Sequence, residues 1–321
     1  MEVSDQASTL LALALSSSVK YAAMRWISGR GQREQVGTVS QVYLYPLKSG
    51  RELSEQLNTV KLTKYGFYTN GVGDRHWLVT KNGDMWTMKQ NARLTLIKTS
   101  IQDNQLRFDS DGMEPLLLPL NLDIDPNSIT TVTVILTPLP ALDLGDKAAE
   151  WICKVLQQDG LRLNYSHPSL DKRLSCKVHM DWKTLIGKDD QIAFQDFCHC
   201  MIMCESSLND LNSRLDKKLN CISFRPNVMI KGTVPFDEDS WREIQFGNTT
   251  KVRYVDRCTR CLVVTIDPDT AVKDKDDQPM KELRKFRCME PYGPKPCMGI
   301  YTVVVTEGDI NVGDPVYVVR K

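Results

Sequence analysis

Polar and apolar residues alternate in short runs along most of the chain. VGTVSQVYLYPLKSG (36 to 50), RHWLVTKNGDMW (75 to 86), LTLIKTS (94 to 100) and ITTVTVIL (129 to 136) are rich in β-branched and aromatic residues, and turn residues separate them. Asn82-Gly83-Asp84 predicts a tight hairpin, because Asn-Gly supplies the left-handed backbone that a two-residue turn needs, and a second turn is expected around Asn91-Ala92. The period changes in DKAAEWICKVLQQDG (146 to 160), where apolar residues at helical spacing end in glycine and predict a helix closing the first part. Beyond it, CHCMIMC (198 to 204) reads as a buried strand. ESSLNDLNSRLDKKL (205 to 219) reads as a helix capped by Ser206 or Ser207, with Leu208, Leu211 and Leu215 as its apolar stripe. Strands are expected over FRPNVMIKG (224 to 232), KVRYVD (251 to 256), CLVVTI (261 to 266), GIYTVVV (299 to 305) and DPVYVV (314 to 319). Many short strands with little helix predict a mainly β protein with some α, built on a barrel rather than on alternating βαβ units.

Composition narrows the class. At 321 residues the chain accommodates two domains, and the pattern divides them near residue 160, giving 1–35 as a leader, 36–160 as a first β-rich domain and 161–321 as a second. Apolar residues at 41% and charged residues at 25% are those of a folded, water-soluble protein. Lys plus Arg number 41 against 40 Asp plus Glu, so no global field draws the protein to nucleic acid. The ten cysteines are irregularly spaced and read as reduced thiols rather than a disulfide framework. STLLALALSSSVKYAAMRW (8 to 26) is apolar and helix-prone but interrupted by Lys20 and serines, and positive charges follow it at Lys20, Arg25, Arg30 and Arg33. That asymmetry suits a signal anchor whose C-terminal side stays in the cytosol; a helix lying in the interface is the alternative.

Candidate chemistry gathers at a few places. RCTRCLVVTIDPDT (257 to 270) holds Cys258-x-x-Cys261 with an arginine between the sulfurs; the pair reads as a reactive thiol, half of a zinc knuckle or core packing. Arg260 beside Cys261 favours its thiolate, a soft ligand for a soft or high-valent metal. In FRPN (224 to 227), a strand would turn Arg225 and Asn227 to one face, where a guanidinium suits a phosphate and an amide suits a heterocycle. Lys48-Ser49-Gly50 ends a strand with an ammonium, a hydroxyl and a close-approach glycine, and Asp74-Arg75-His76-Trp77 adds a cation at a strand start. Singly each is an ordinary surface charge; together they suit a phosphorylated cofactor. The four histidines show no shared ligand spacing, and no Gly-x-Gly-x-x-Gly, P-loop or His-Glu-x-x-His is present.

These stretches together, with GDRHWLV, FDEDSW (236 to 241) and VGDPVYVV, closely resemble the mitochondrial amidoxime-reducing component family of MOSC-domain molybdenum enzymes, in order from Val36 to Val319. The resemblance implies a MOSC N-terminal β-rich domain, then a MOSC β-barrel domain, with a molybdenum-molybdopterin cofactor between them. It implies Cys261 as the molybdenum thiolate and Thr259, Arg260, Lys48, Ser49, Arg75, Arg225 and Asn227 as cofactor-binding residues. Phe197 and Cys198 join that set by position, where the family carries Thr-Ser, and Asp196 before them is the candidate proton relay. Gly50-Arg51 also stands where the family continues Cys-Lys-Gly. The implied reaction removes oxygen from amidoximes and hydroxylamines, with electrons from NADH through a flavin reductase and a cytochrome b5-type haem protein. The implied address is the mitochondrial outer membrane, facing the cytosol. Two other readings remain: a MOSC sulfur carrier with a persulfide on Cys261, and a non-catalytic β-barrel binding module.

Overall fold

The computed structural model describes residues 33–177 and 184–321; the apolar segment 8–26 lies outside them. Twelve strands form two closed barrels. In chain order they are β1 (Glu34–Val42), β2 (Trp77–Lys81), β3 (Asp84–Met85), β4 (Ile129–Val134), β5 (Thr137–Asp143) and β6 (Leu161–Tyr165). There follow β7 (Cys200–Cys204), β8 (Val228–Lys231), β9 (Trp241–Phe246), β10 (Thr250–Thr259), β11 (Cys297–Thr306) and β12 (Pro315–Arg320). The smaller barrel runs β4-β5-β6-β2-β3, and the larger runs β1-β8-β7-β11-β10-β9-β12. Among the described residues three helices accompany them: α1 (Gly145–Leu156), α2 (Glu205–Ser213) and α3 (Met280–Phe286). The fold is thus mostly β with helices added, as the short alternating runs require.

The barrels interlock along the sequence. β1 is a stave of the larger barrel, pairing Val39 with Ile230 of β8 and Gly37 with Val316 of β12. Any side chain at residue 37 would put its Cβ 2.1 Å from the Lys231 carbonyl oxygen, so only glycine permits this pairing. β6, beyond residue 160, belongs to the smaller barrel. Thr59–Thr63 pairs with Gly308–Asn311, a second tie between distant parts of the chain. One apolar cluster runs through both barrels, holding Trp77, Leu163, Ile202 and Trp241. Each such side chain contributes about 1.5–3 kcal/mol by leaving water.

Local expectations fare unevenly. Asn82 and Gly83 have φ of 52° and 82°, the tight turn that their chemistry anticipated. LTLIKTS begins instead as a short 3-10 turn, Ala92–Leu96, because the Asn91 side chain accepts from the Arg93 N–H and starts the turn. Helix α2 stops at Ser213 because the Asn212 side chain bonds both the N–H and the carbonyl of Leu219, folding the chain back. Neither Ser206 nor Ser207 caps it: Ser206 donates to the Val234 carbonyl, and Ser207 donates to the buried Glu238 carboxylate. CLVVTI is not a strand but a 3-10 turn over Leu262–Thr265, where the Thr265 hydroxyl donates to the Leu262 carbonyl. FRPN is not a strand either: Cys221–Phe224 is 3-10, Arg225 is left-handed at φ 56°, and pairing starts only at Val228. Pro226 has no N–H to give a ladder, so the strand begins after it.

Candidate active site between the barrels

Loops from both barrels converge on one cationic cluster. Arg75, just before β2, directs its guanidinium to Asp74, at 2.6 Å and 2.7 Å from the two carboxylate oxygens. It also reaches the Asn227 side-chain oxygen at 3.2 Å and the Arg225 carbonyl at 3.1 Å. Arg225 donates to the Gly50 carbonyl at 2.5 Å. Both guanidiniums lie over the buried ring of Tyr45, at 4.4 Å and 4.3 Å from its centroid. Asp74 is buried and also accepts the Tyr45 N–H; its carboxylate bonds Arg75 and leaves Arg225 without one among the described residues. The result is asymmetric. Burial opposes the charge of Arg75, but Asp74 outweighs it and raises the pKa; burial and the adjacent Arg75 pull Arg225 down to about 10. Ser49, Arg75 and Arg225 all take left-handed backbone, at φ 70°, 54° and 56°, a concentration of strain that surrounding bonds must hold.

Lys48 is buried and donates to the Phe194 carbonyl at 2.7 Å and to the Asp196 carboxylate at 2.5 Å. The Asp196 side chain is 66% exposed to water. Burial would raise its pKa, but Lys48, Arg173 and Arg75 outweigh burial and hold it at about 2. Burial lowers Lys48 against the opposing pull of Asp196. Asn227 is buried, and its amide is spent on the fold, accepting from the Met201 N–H and donating to the Tyr43 carbonyl.

The two cysteines of the Cys-x-x-Cys differ sharply. Cys258 is 2% exposed, inside an apolar cluster with Phe224 and Met298. Burial pushes its thiol up, opposed by Arg260 and by a hydrogen bond with Tyr301. Cys261 is exposed, at the turn that follows β10. Arg260 points inward, donating to the Met298 carbonyl from Nε at 2.9 Å and to the Phe224 carbonyl from Nη1 at 2.9 Å. Next to it, Gly299 at φ 73° would carry a Cβ 2.7 Å from the Ile202 carbonyl, so the approach of β11 to β7 beside Arg260 needs glycine. Thr259 ends β10 opposite Cys297. Phe197 and Cys198 are buried; the Phe197 ring meets Tyr301 edge-on at 5.4 Å, and the Cys198 thiol donates to the Cys200 carbonyl at 3.2 Å. No group of three or more His, Cys, Asp or Glu among the described residues could hold a metal, so the zinc-knuckle reading finds no second pair.

Arginine-to-carbonyl bonds therefore tie the loops together: Arg260 to Phe224, Arg75 to Arg225, Arg225 to Gly50, and Arg51 to Pro268 at 2.9 Å. A description of the MOSC N-terminal beta barrel domain matches residues 36–159, and one of the MOSC domain matches residues 189–317. Mitochondrial amidoxime reducing component 2 of Bos taurus is 35% identical over 296 residues, covering 90% of this chain and 85% of that protein. Component 1 of Mus musculus is 34% identical over 315 residues, covering 95% and 90%. This chain belongs to the mitochondrial amidoxime-reducing component family. Component 1 of Homo sapiens stands at 34% over 294 residues.

For this amidoxime-reducing component member, sequence reasoning singled out Lys48, Asp196, Arg75, Arg225 and Asn227, which the structure joins in two groups, Lys48 with Asp196 and Arg75 with Arg225 and Asn227. Arg260 connects to them through Phe224, and Cys261 follows it in the chain. Tyr45, Asp74, Arg51 and Arg173 escaped it as parts of the cluster. Tyr45 and Asp74 stood inside quoted stretches, but a tyrosine serving as a platform for two arginines leaves no spacing to read. Arg51 was noticed only as a departure from the family pattern, and Arg173 carried no signal at all.

Proposed function

We propose that this protein is a molybdenum cofactor-dependent oxidoreductase that reduces N-hydroxylated compounds, amidoximes and hydroxylamines, to amidines and amines. The observation that carries the reading is the unpartnered Nη2 of Arg225, a buried donor on a guanidinium that has no carboxylate of its own beside Arg75. Such a group wants an anion, and the cofactor's phosphate is one. The residues present fit the group in a second way: an exposed thiol, Cys261, follows directly on the arginine that anchors the Arg225 turn.

In this reading Arg75 and Arg225 take the phosphate with Lys48 and Ser49, while Asn227 keeps the Arg75 fork in place. Thr259 and Arg260 position the turn that presents Cys261 as the metal thiolate. Phe197 and Cys198 replace polar side chains, so contacts there fall to main-chain N–H groups. When bound, the cofactor supplies the two-electron reduction that no side chain here performs. The substrate's N–O bond breaks, two protons and two electrons are consumed, and water leaves with the amine or amidine. Asp196, ionised above about pH 2, holds the Lys48 ammonium, whose pKa burial lowers from the ordinary lysine value. The pair is the proton route assigned to this place.

The electron supply assigned is NADH through a flavin reductase and a b5-type haem protein. The address assigned is the mitochondrial outer membrane, cytosol-facing; the matched relatives are named mitochondrial components. No helix among the described residues is long and apolar enough to cross a membrane; the anchor assigned is the apolar segment 8–26.

Metal and pterin analysis of the purified protein tests the core of the reading, with benzamidoxime reduction by chemically reduced protein beside it. About one molybdenum and one pterin per chain, with benzamidine produced, is expected. Zinc alone, or neither metal nor pterin, overturns it, and a persulfide on Cys261 without molybdenum gives the protein to sulfur transfer instead.

A further inference from the structure

Arg173 lies between the two matched domains, outside both. It belongs to a two-residue strand, Arg173–Leu174, paired with Gln191–Ile192 just before the 194–198 loop. It is 2% exposed and has no carboxylate in hydrogen-bond contact among the described residues. Its Nη1 donates to the Val134 carbonyl at 3.3 Å, at the end of β4 in the smaller barrel. Its Nη2 donates to the Gln195 carbonyl and, at 3.1 Å, to the Asp196 carbonyl. Nε has no partner, and burial pulls the guanidinium down to about 10 against the attraction of Asp196. A buried cation so placed is a costly way to fill space, and an apolar side chain of like size would pack at less cost.

The loop it holds is the one before β7. The carbonyls of Phe194, Gln195 and Asp196 each accept from a buried cation, the first from Lys48 and the other two from Arg173. The next N–H groups, of Asp196, Phe197 and Cys198, meet no acceptor among the described residues. Ile135, one residue beyond Val134, packs against both the cluster of Leu78 and Phe194 and the cluster of Phe197 and Val303. Hairpin and loop are therefore in contact twice, through Ile135 and through Arg173.

We propose that Arg173 is a positioning residue, a staple that registers the β4–β5 hairpin of the smaller barrel against the Gln195-Asp196 loop and thereby sets Asp196 and the following N–H groups at the cofactor site. Its effect on turnover rests on the reductase reading above; its effect on the loop does not. Arg173→Ala and Arg173→Lys in the full chain, each purified with and without added guanidinium at non-denaturing concentration, separate the two. In hydrogen–deuterium exchange, Arg173→Ala is expected to speed exchange at 132–137 and, within 194–198, at the Phe194 N–H that donates to the Arg75 carbonyl, by about tenfold, leaving β9–β12 unchanged. Guanidinium restores protection, and Arg173→Lys, which keeps the charge but not the fork, falls between. In turnover, kcat per bound molybdenum is expected to fall on the order of tenfold with KM for benzamidoxime nearly unchanged, again recovered by guanidinium. Unchanged exchange at both segments overturns the staple, and faster exchange with unchanged kcat per molybdenum overturns its role in positioning. Where wild-type protein holds no molybdenum the reductase reading fails, and the exchange arm still decides the staple. Should Arg173→Ala not fold, Arg173→Lys and Arg173→Met carry the same comparison.

Discussion

Arg75 donates from Nη2 to the backbone carbonyl of Arg225 at 3.1 Å, so one guanidinium pins the turn from which the other projects. The two are not equivalent partners. Arg75 neutralises the buried Asp74, whereas Arg225 has only the Tyr45 ring and a carbonyl. Arg75→Met leaves a buried carboxylate uncompensated and is expected to cost about 3–5 kcal/mol in urea unfolding of cofactor-free protein. Arg225→Met removes an unpaired cation and is expected to leave that stability within about 1 kcal/mol of wild type while depleting bound molybdenum. Equal destabilisation by both would contradict the asymmetry.

Thiol labelling separates the cysteines. Of the ten, Cys176, Cys261 and Cys288 are exposed. In native, cofactor-free protein three thiols should react rapidly with a maleimide, and Cys261→Ser should reduce that number to two. Cys261→Ser is expected to fold normally and lose benzamidoxime reduction. Cys258→Ser keeps most of the activity at a cost of about 1–2 kcal/mol in stability, because a hydroxyl replaces a thiol in an apolar cluster.

Acid sensitivity should trace in part to His76, with the buried His199, also lowered by burial, acting in the same direction. Burial, helped by Lys172 and opposed by the Ser166 carbonyl, holds the His76 pKa at about 3 instead of 6.5. Its Nδ1 donates to that carbonyl at 3.0 Å and its Nε2 accepts from the Tyr68 hydroxyl at 2.9 Å, the neutral form. Between pH 6.5 and 3 the unfolded chain takes a proton here that the folded chain refuses, so stability falls as pH falls across that window. His76→Gln should reduce the slope of this branch in a plot of urea midpoint against pH, leaving the part due to His199. A side chain at Gly73 would meet the imidazole ring at 2.5 Å, so Gly73→Ala is expected to destabilise at every pH.

The β4–β5 hairpin turns on Ile135 and Leu136, at φ 46° and 62°, where an Asn-Gly pair would be at ease. Leu136 is 86% exposed, so little packing is lost by replacing it. Leu136→Gly is expected to raise the melting temperature, by about 0.5–1 kcal/mol of stability. A fall would mean that the exposed leucine has a partner worth more than the strain.

Alternation made the β-rich, two-part fold readable, and Asn-Gly made one hairpin readable to the residue. The segments misread share a cause: in FRPN and CLVVTI the residues have β character, but a side-chain bond or a proline starts a 3-10 turn before pairing can begin. Helix α2 was overrun because the Asn212 bonds that fold the chain back reach Leu219, and the stripe position Leu215 is buried beyond the helix end. At the site, charged residues at strand ends were visible as types. Their mutual arrangement was not, because Arg225 and Asn227 meet Arg75 through a left-handed turn rather than on a shared strand face. Arg173 was illegible for a different reason: its partners are carbonyls of residues 39, 22 and 23 positions away, and carbonyls carry no residue identity.

β1 stands between β8 and β12 in the larger barrel, and that arrangement dictates an order of events during synthesis. The first described strand leaves the ribosome with neither of its neighbours yet made, and must wait through almost three hundred residues for β12. The smaller barrel, complete by Tyr165, can form while translation continues; the larger one closes only after the last strand emerges. Until then β1 offers an unpaired edge, and the cell must shield it or finish the chain quickly.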